Sequence, residues 1–126
     1  PGSMATVAEN LARVGVADAV ELVQGEALAT LTAMALNGSL REAGLIVLDD
    51  NHDYEHVLAE MRACWLVLPP LGVIAGHDVY VDGLEGVNRA FLEISQQPNA
   101  HLVLSPHSQG YGLLQKRNAK DSCPWK

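Results

Sequence analysis

Two apolar runs in this chain each stop on acids and a histidine. Gly44-Leu45-Ile46-Val47-Leu48 runs into Asp49-Asp50-Asn51-His52, and Leu71-Gly72-Val73-Ile74-Ala75-Gly76 runs into His77-Asp78. Each run has the length and composition of a buried parallel strand, and open α/β sheets bind ligands outside the carboxyl ends of such strands. Two carboxylates on adjacent strand ends can share a hard divalent cation such as Mg²⁺, which prefers oxygen ligands and keeps waters that a substrate can replace. Asp49 and Asp78 are the candidates for that ion. His52, three residues after Asp49, would stand beside it, and an imidazole ordinarily titrates near ~6.5, which suits taking a proton from a hydroxyl. The mechanism requires the carboxyl groups of Asp49 and Asp78 to lie within about 10 Å of each other, the reach of one hydrated ion.

The same residues also have quieter roles open to them. Asp53 or Asn51 can cap the following helix, and Asp78 can bond the amides of the next loop. Glu26, after Gly25, can accept a hydrogen bond from a ligand or favour the following helix through its dipole. Asp50, His52, His77 and Asp78 could instead surround a cation holding a nucleophilic water, although the histidines lack the helical spacing of familiar hydrolase sites. His56, on a solvated helix face, and His101 and His107, flanking an edge strand, are expected at the surface. Met61 and Trp65 belong to a helix stripe and are expected in the core.

The elements that position these groups alternate along the chain. Val7, Leu11 and Val14 have helical spacing and Gly15 ends that helix. Val20-Glu21-Leu22-Val23 reads as a short strand, followed by a helix through Leu28, Leu31 and Ala35 that closes at Asn37-Gly38. After the Leu45–Leu48 strand, Tyr54, Val57, Leu58, Met61, Trp65 and Leu68 form a strong apolar stripe that Pro69-Pro70 stops. The Val73 strand precedes a helix with Asp82 at its N-cap, Glu85 three residues on, and Leu84, Val87, Phe91 and Ile94 on one face. His101–Leu104 and Tyr111–Gln115 read as a hairpin, with a polar, frayed tail from Lys116. The pattern predicts a three-layer α/β sandwich with a mostly parallel sheet and an antiparallel edge.

At 126 residues the chain has room for one domain, expected over residues 4–117, with 1–3 as a cloning remnant and 118–126 as a polar tail. Eight basic against 15 acidic residues give a net charge of −7, and no basic stripe is present to follow phosphates, so no nucleic acid is expected as a partner. No apolar run approaches the roughly 20 residues of a membrane span, and no secretion signal opens the chain, so no membrane partner and a cytoplasmic location are expected. Cys64 and Cys123 have no metal-type spacing and are expected as reduced thiols.

The stretch Asp49-Asp50-Asn51-His52-Asp53-Tyr54-Glu55-His56-Val57-Leu58-Ala59-Glu60-Met61-Arg62, with Leu68-Pro69-Pro70-Leu71-Gly72-Val73-Ile74-Ala75-Gly76-His77-Asp78, resembles the class I S-adenosylmethionine-dependent methyltransferases. More narrowly it is similar to their metal-dependent, small-molecule O-methyltransferase branch, and the likeness runs from about Ala8 to Gln115. The resemblance implies a Rossmann-like methyltransferase fold, S-adenosylmethionine as cofactor, and Mg²⁺ on acids matching Asp49 and Asp78, with His77 replacing the usual acid before Asp78. It implies His52 as general base on a small-molecule hydroxyl. It places Gly25, Glu26 and Ala27, together with Asp49, against the cofactor.

The glycine-rich loop after the family's first strand and the acid ending its second have no counterpart in this chain, so it resembles the C-terminal part of that fold, lacking the first two strands. Their absence leaves the Leu45 strand with an unpaired apolar edge that can recruit another chain, so a dimer or an altered strand order is expected. Two functions follow. One is an O-methyltransferase; the other is a non-catalytic methyltransferase-like module that serves assembly or binds a partner.

Overall fold

A computed structural model describes residues 3–118; Pro1, Gly2 and residues 119–126, including Cys123 and nearly all of the expected polar tail, lie outside the described residues. The elements are α1 (Met4–Arg13), α2 (Ala27–Asn37), β1 (Leu45–Leu48), α3 (Tyr54–Val67), β2 (Val73–His77), α4 (Gly86–Ile94), β3 (Ala100–Ser105) and β4 (Tyr111–Lys116). A short 3-10 turn at Ala17–Ala19 follows α1. Ser3 caps α1 by accepting from the Thr6 amide at 3.2 Å, and Asp53 caps α3 by accepting from the His56 amide. Gly38 takes the left-handed conformation that ends α2, with φ at +84°.

The four strands form one mixed sheet in the order β1-β2-β4-β3. β1 and β2 are parallel, and β2–β4 and β3–β4 are antiparallel, so the sheet is parallel only in its β1–β2 part. Ile46, Ile74, Leu114 and Leu102 stand abreast across the sheet and face the helices. Against them pack Val57, Leu58, Met61, Cys64 and Trp65 of α3 and Val87, Ala90, Phe91 and Ile94 of α4. Phe91 lies over a pair of facing glycines, Gly76 and Gly112, and fills the space their missing side chains leave. That contact seats α4 directly beneath the end of β2 that carries His77 and Asp78.

α3 packs against α4 and α2, all over one face of the sheet. The other face carries Leu45 and Val47, which are 60% and 62% exposed, together with Val103 and Leu113. The described residues therefore supply two layers of the expected sandwich, and β1 forms an open edge.

Three local expectations are corrected. Val20–Val23 is not a strand: Val20 has extended dihedrals, but the segment pairs with no neighbour among the described residues, and a strand forms only where a neighbour takes up its backbone hydrogen bonds. Asp82 does not cap α4. The helix starts at Gly86, and Glu85 turns its carboxylate back to the Gly83 amide. Lys116 does not fray: it ends β4, and its ammonium donates to the Trp65 and Leu68 carbonyls, satisfying the C-terminal end of α3.

Candidate active site

The site residues come from the carboxyl ends of β1 and β2, which the parallel pairing Leu48↔Gly76 brings side by side. Asp78 has φ at +59°, a left-handed conformation that turns its carboxylate away from the strand direction. There Asp78 Oδ2 lies 2.7 Å from His52 Nε2, and Oδ1 lies 2.8 Å from His77 Nδ1. A carboxylate only accepts, so His52 Nε2 carries the hydrogen, and in the neutral ring the accepting nitrogen is then Nδ1. Ligand atoms of Asp49, His52 and Asp78 all fall within 4.8 Å of one another, well inside the 10 Å that the two-carboxylate reading required. His77 stands outside this trio, as the second partner of Asp78.

Gly86 locks the loop that carries His52. A Cβ there would overlap the His52 carbonyl oxygen and lie 2.7 Å from the Tyr54 nitrogen, so α4 can approach this loop only because residue 86 has no side chain. Tyr54 then braces the loop from its other end: its hydroxyl donates to Glu93, which also pairs with Arg62 at 2.8 Å, and the Arg89 guanidinium sits 4.1 Å from the Tyr54 ring centroid.

Three hollows meet here. A crevice of about 10 Å³, at most water-sized, is lined by Asp49, His52, Glu60, His77 and Phe91 among others. On the His52 side a hollow of about 550 Å³ opens between Asn51, Tyr54, Gly83, Leu84 and Arg89. On the other side a hollow of about 410 Å³ is bounded by Val23, Gly25, Ala27, Val47, Asp49 and Asp50. Asp49, a member of the trio, thus also lines the 410 Å³ hollow, where Gly25 and Ala27 lie. Glu26 does not line that hollow. Its carboxylate caps α2, accepting from the Leu28 amide at 3.0 Å and the Ala29 amide at 2.7 Å, and these two bonds hold its pKa below the ordinary carboxylate value.

A second group was not foreseen. His56 is half-buried, not solvated: its Nε2 lies 3.0 Å from Glu60 Oε1 and 3.6 Å from Asp50 Oδ2. Glu60 is only 1% exposed, although it is an acid in the apolar stripe of α3. Burial, reinforced by Asp50, pushes its pKa up. Burial alone would lower the pKa of His56, but the surrounding Glu60, Asp50 and Glu26 carboxylates outweigh it and raise it. The signal in the sequence was the i, i+4 pair His56/Glu60 on a helix whose neighbouring positions are apolar. Because Asp50 joins this group, the four donors of the hydrolase reading are not brought together. His101 and His107 are exposed, and Met61 and Trp65 are buried, as expected.

Comparisons with known proteins agree with this fold. Solved structures share the fold: a Corynebacterium glutamicum protein at TM-score 0.77 and 15% identity, over 94% of this chain and 57% of that one; a Podospora anserina methyltransferase solved with SAH bound, at 0.72 and 19%, over 91% and 56%; and an O-methyltransferase from Bacillus cereus in complex with SAH, at 0.69 and 20%, over 93% and 60%. The chain therefore spans less than two thirds of the length of each of these structures. No curated protein matches the sequence significantly. Residues 2–79, from before α1 through the end of β2 to the residue after Asp78, match the family model described as "Methyltransferase domain", and the chain belongs to that family.

Proposed function

We propose that this chain is the acid- and base-bearing part of an S-adenosylmethionine-dependent O-methyltransferase acting on a small-molecule hydroxyl. The observation that carries the reading is the trio of Asp49, His52 and Asp78 at two adjacent strand ends, with an imidazole held by a carboxylate at 2.7 Å. Asp78 fixes the tautomer of His52, which leaves Nδ1 to take the proton of an acceptor hydroxyl. The hollow beside Asn51, Tyr54 and Arg89 has the volume of a small-molecule site and would admit the acceptor to His52. When bound, S-adenosylmethionine supplies an electrophilic methyl group and leaves as S-adenosylhomocysteine, the SAH found in two of the similar structures. Gly25, Ala27 and Asp49 line the hollow that this reading gives to one end of that cofactor, while Glu26 supports the position indirectly by fixing the start of α2.

A divalent cation suits the donor set. Asp49 and Asp78 offer hard oxygens, and the carboxylate of Asp78 retains lone pairs beyond those its two histidines use. When bound, Mg²⁺ would acidify and orient the acceptor hydroxyl. A cytoplasmic setting is in keeping with the buried, reduced Cys64, and no helix among the described residues is long and apolar enough to cross a membrane.

The test pairs calorimetry with transfer of a labelled methyl group from S-adenosylmethionine to a panel of small hydroxyl compounds, with and without MgCl₂. The expected result is SAH binding by the wild type, and a His52→Gln variant that binds SAH within about twofold of the wild type but transfers about 10²–10⁴-fold more slowly. Absence of heat with both SAH and S-adenosylmethionine, or a His52→Gln variant with full transfer, would refute the reading.

The bare sheet face and the open edge of β1 favour a second reading, a module that meets another protein chain, the simplest partner being a second copy. Light scattering distinguishes the two states: a dimer that Val47→Lys dissociates supports the module, and a monomer at working concentration defeats it.

A further inference from the structure

We infer that Asp50, His56 and Glu60 form a binding site for a first-row divalent transition ion, separate from the Asp49–His52–Asp78 trio. The three residues each present one donor atom, and all three atoms lie within 4.8 Å of one another. His56 Nε2 is 3.0 Å from Glu60 Oε1 and 3.6 Å from Asp50 Oδ2. Donors bound at about 2.0–2.1 Å around a tetrahedral ion are roughly 3.4 Å apart, so the set needs only small adjustment to close on one. One imidazole and two carboxylates suit Zn²⁺ or Co²⁺ better than Mg²⁺, which avoids imidazole.

The independent observation is Glu60 Oε2. It is a buried oxygen without a hydrogen-bond partner, on a side chain 1% exposed. A buried polar atom in that state is costly, and a carboxylate turned toward an imidazole and a second carboxylate gains a natural partner when a cation arrives. Access is open, because Glu60 and Asp50 both line the 410 Å³ hollow and Asp50 is exposed to solvent. An ion there would tie the tip after β1 to the first two turns of α3, the segment whose intervening loop carries His52.

The probe is ZnCl₂, titrated calorimetrically in excess MgCl₂ into the wild type and into the His52→Gln, His56→Gln and Glu60→Gln variants. In parallel, the imidazole ¹⁵N resonances of wild-type His56 are followed during the titration. The expected result is one Zn²⁺ per chain that survives His52→Gln, weakens at least about tenfold in His56→Gln and Glu60→Gln, and shifts the His56 ring nitrogen resonances. Zn²⁺ binding that is unchanged in both cluster variants overturns the proposal, as do His56 resonances that do not move at saturating Zn²⁺. The wild-type resonances decide the matter even where a Glu60 variant fails to fold.

Discussion

Gly86→Ala is the sharpest test of how the fold positions the candidate base. Replacing a helical glycine by alanine ordinarily stabilises by up to about 1 kcal/mol, so propensity alone predicts a higher melting temperature. The structure predicts the reverse, because the added methyl would overlap the His52 carbonyl oxygen and sit 2.7 Å from the Tyr54 nitrogen and 3.2 Å from the Asp53 carbonyl carbon. All three are backbone atoms, which cannot rotate aside as a side-chain tip does. Overpacking of this kind costs about 1–3 kcal/mol, leaving a net loss near 2 kcal/mol in the upper part of that range. Unfolding entropy of roughly 2.1 cal/mol/K per residue gives about 0.25 kcal/mol/K for a chain of this length, so the melting temperature should fall by about 8 °C. The relief route is a displaced 52–54 loop, which should also perturb the His52 imidazole resonances and lengthen its pairing with Asp78. Gly44→Ala is the control, since a Cβ there meets nothing within 4 Å. A Gly86→Ala protein that melts at or above the wild-type temperature refutes the packing argument. A fall with His52 resonances unmoved refutes the link between this glycine and the site.

Three further outcomes follow from single residues. Gly76→Ala would bring a methyl 2.8 Å from the Phe91 ring and should cost about 1–3 kcal/mol in chemical denaturation, and most of the loss should be recovered in Gly76→Ala/Phe91→Leu; additive losses in the double variant would disprove the contact. Asp78→Gly and Asp78→Ala both remove the carboxylate, but only glycine accepts φ of +59° without strain, so the glycine variant should be the more stable by about 1–2 kcal/mol, and equal midpoints would argue against the left-handed backbone. Burial, aided by the nearby Glu60, pushes the Cys64 thiol up to about 11 from 9.0. A raised acid pKa in the folded state adds stability that is present below the unfolded value and lost as pH rises. Stability should therefore decline between pH 9 and 11 by about 2–3 kcal/mol in wild type relative to Cys64→Ala, and parallel pH curves would negate it.

How much of this was legible in the chain follows from which forces are local. The Asp49 and Asp78 convergence could be read because strand ends in a parallel pair are fixed by hydrophobic runs of known length, and Leu48↔Gly76 pairing does the rest. The α3 stripe from Tyr54 to Leu68 was equally clear, since its period and its Pro69-Pro70 stop are both in the sequence. Val20–Val23 misled for the opposite reason: its composition is that of a strand, but a strand exists only through its neighbours. The placement of His56 failed because the stripe was read for its apolar members, and Glu60 within it was passed over. Gly86 gave no local signal at all, since close approach between α4 and the His52 loop is a tertiary fact.

The two halves of the site differ in what holds them. Every group in the Asp49–His52–Asp78 trio is held by contacts among β1, β2, β4, α3 and α4: the parallel pairing, the Phe91 contact over Gly76 and Gly112, the Gly86 approach and the Tyr54–Glu93–Arg62 brace. None of these involves the open edge of β1. The wall around Gly25 and Ala27 is different, for the adjoining segment near Val23 pairs with no strand among the described residues. The groups proposed to act on an acceptor hydroxyl are thus pre-organised in this chain, whereas the hollow proposed for the cofactor is open on the side where the sheet ends at β1. Supplying a strand along that edge, from a second copy or from the rest of the fold, should accordingly raise affinity for SAH while leaving the His52–Asp78 pairing unchanged, because the first depends on closing the hollow and the second does not.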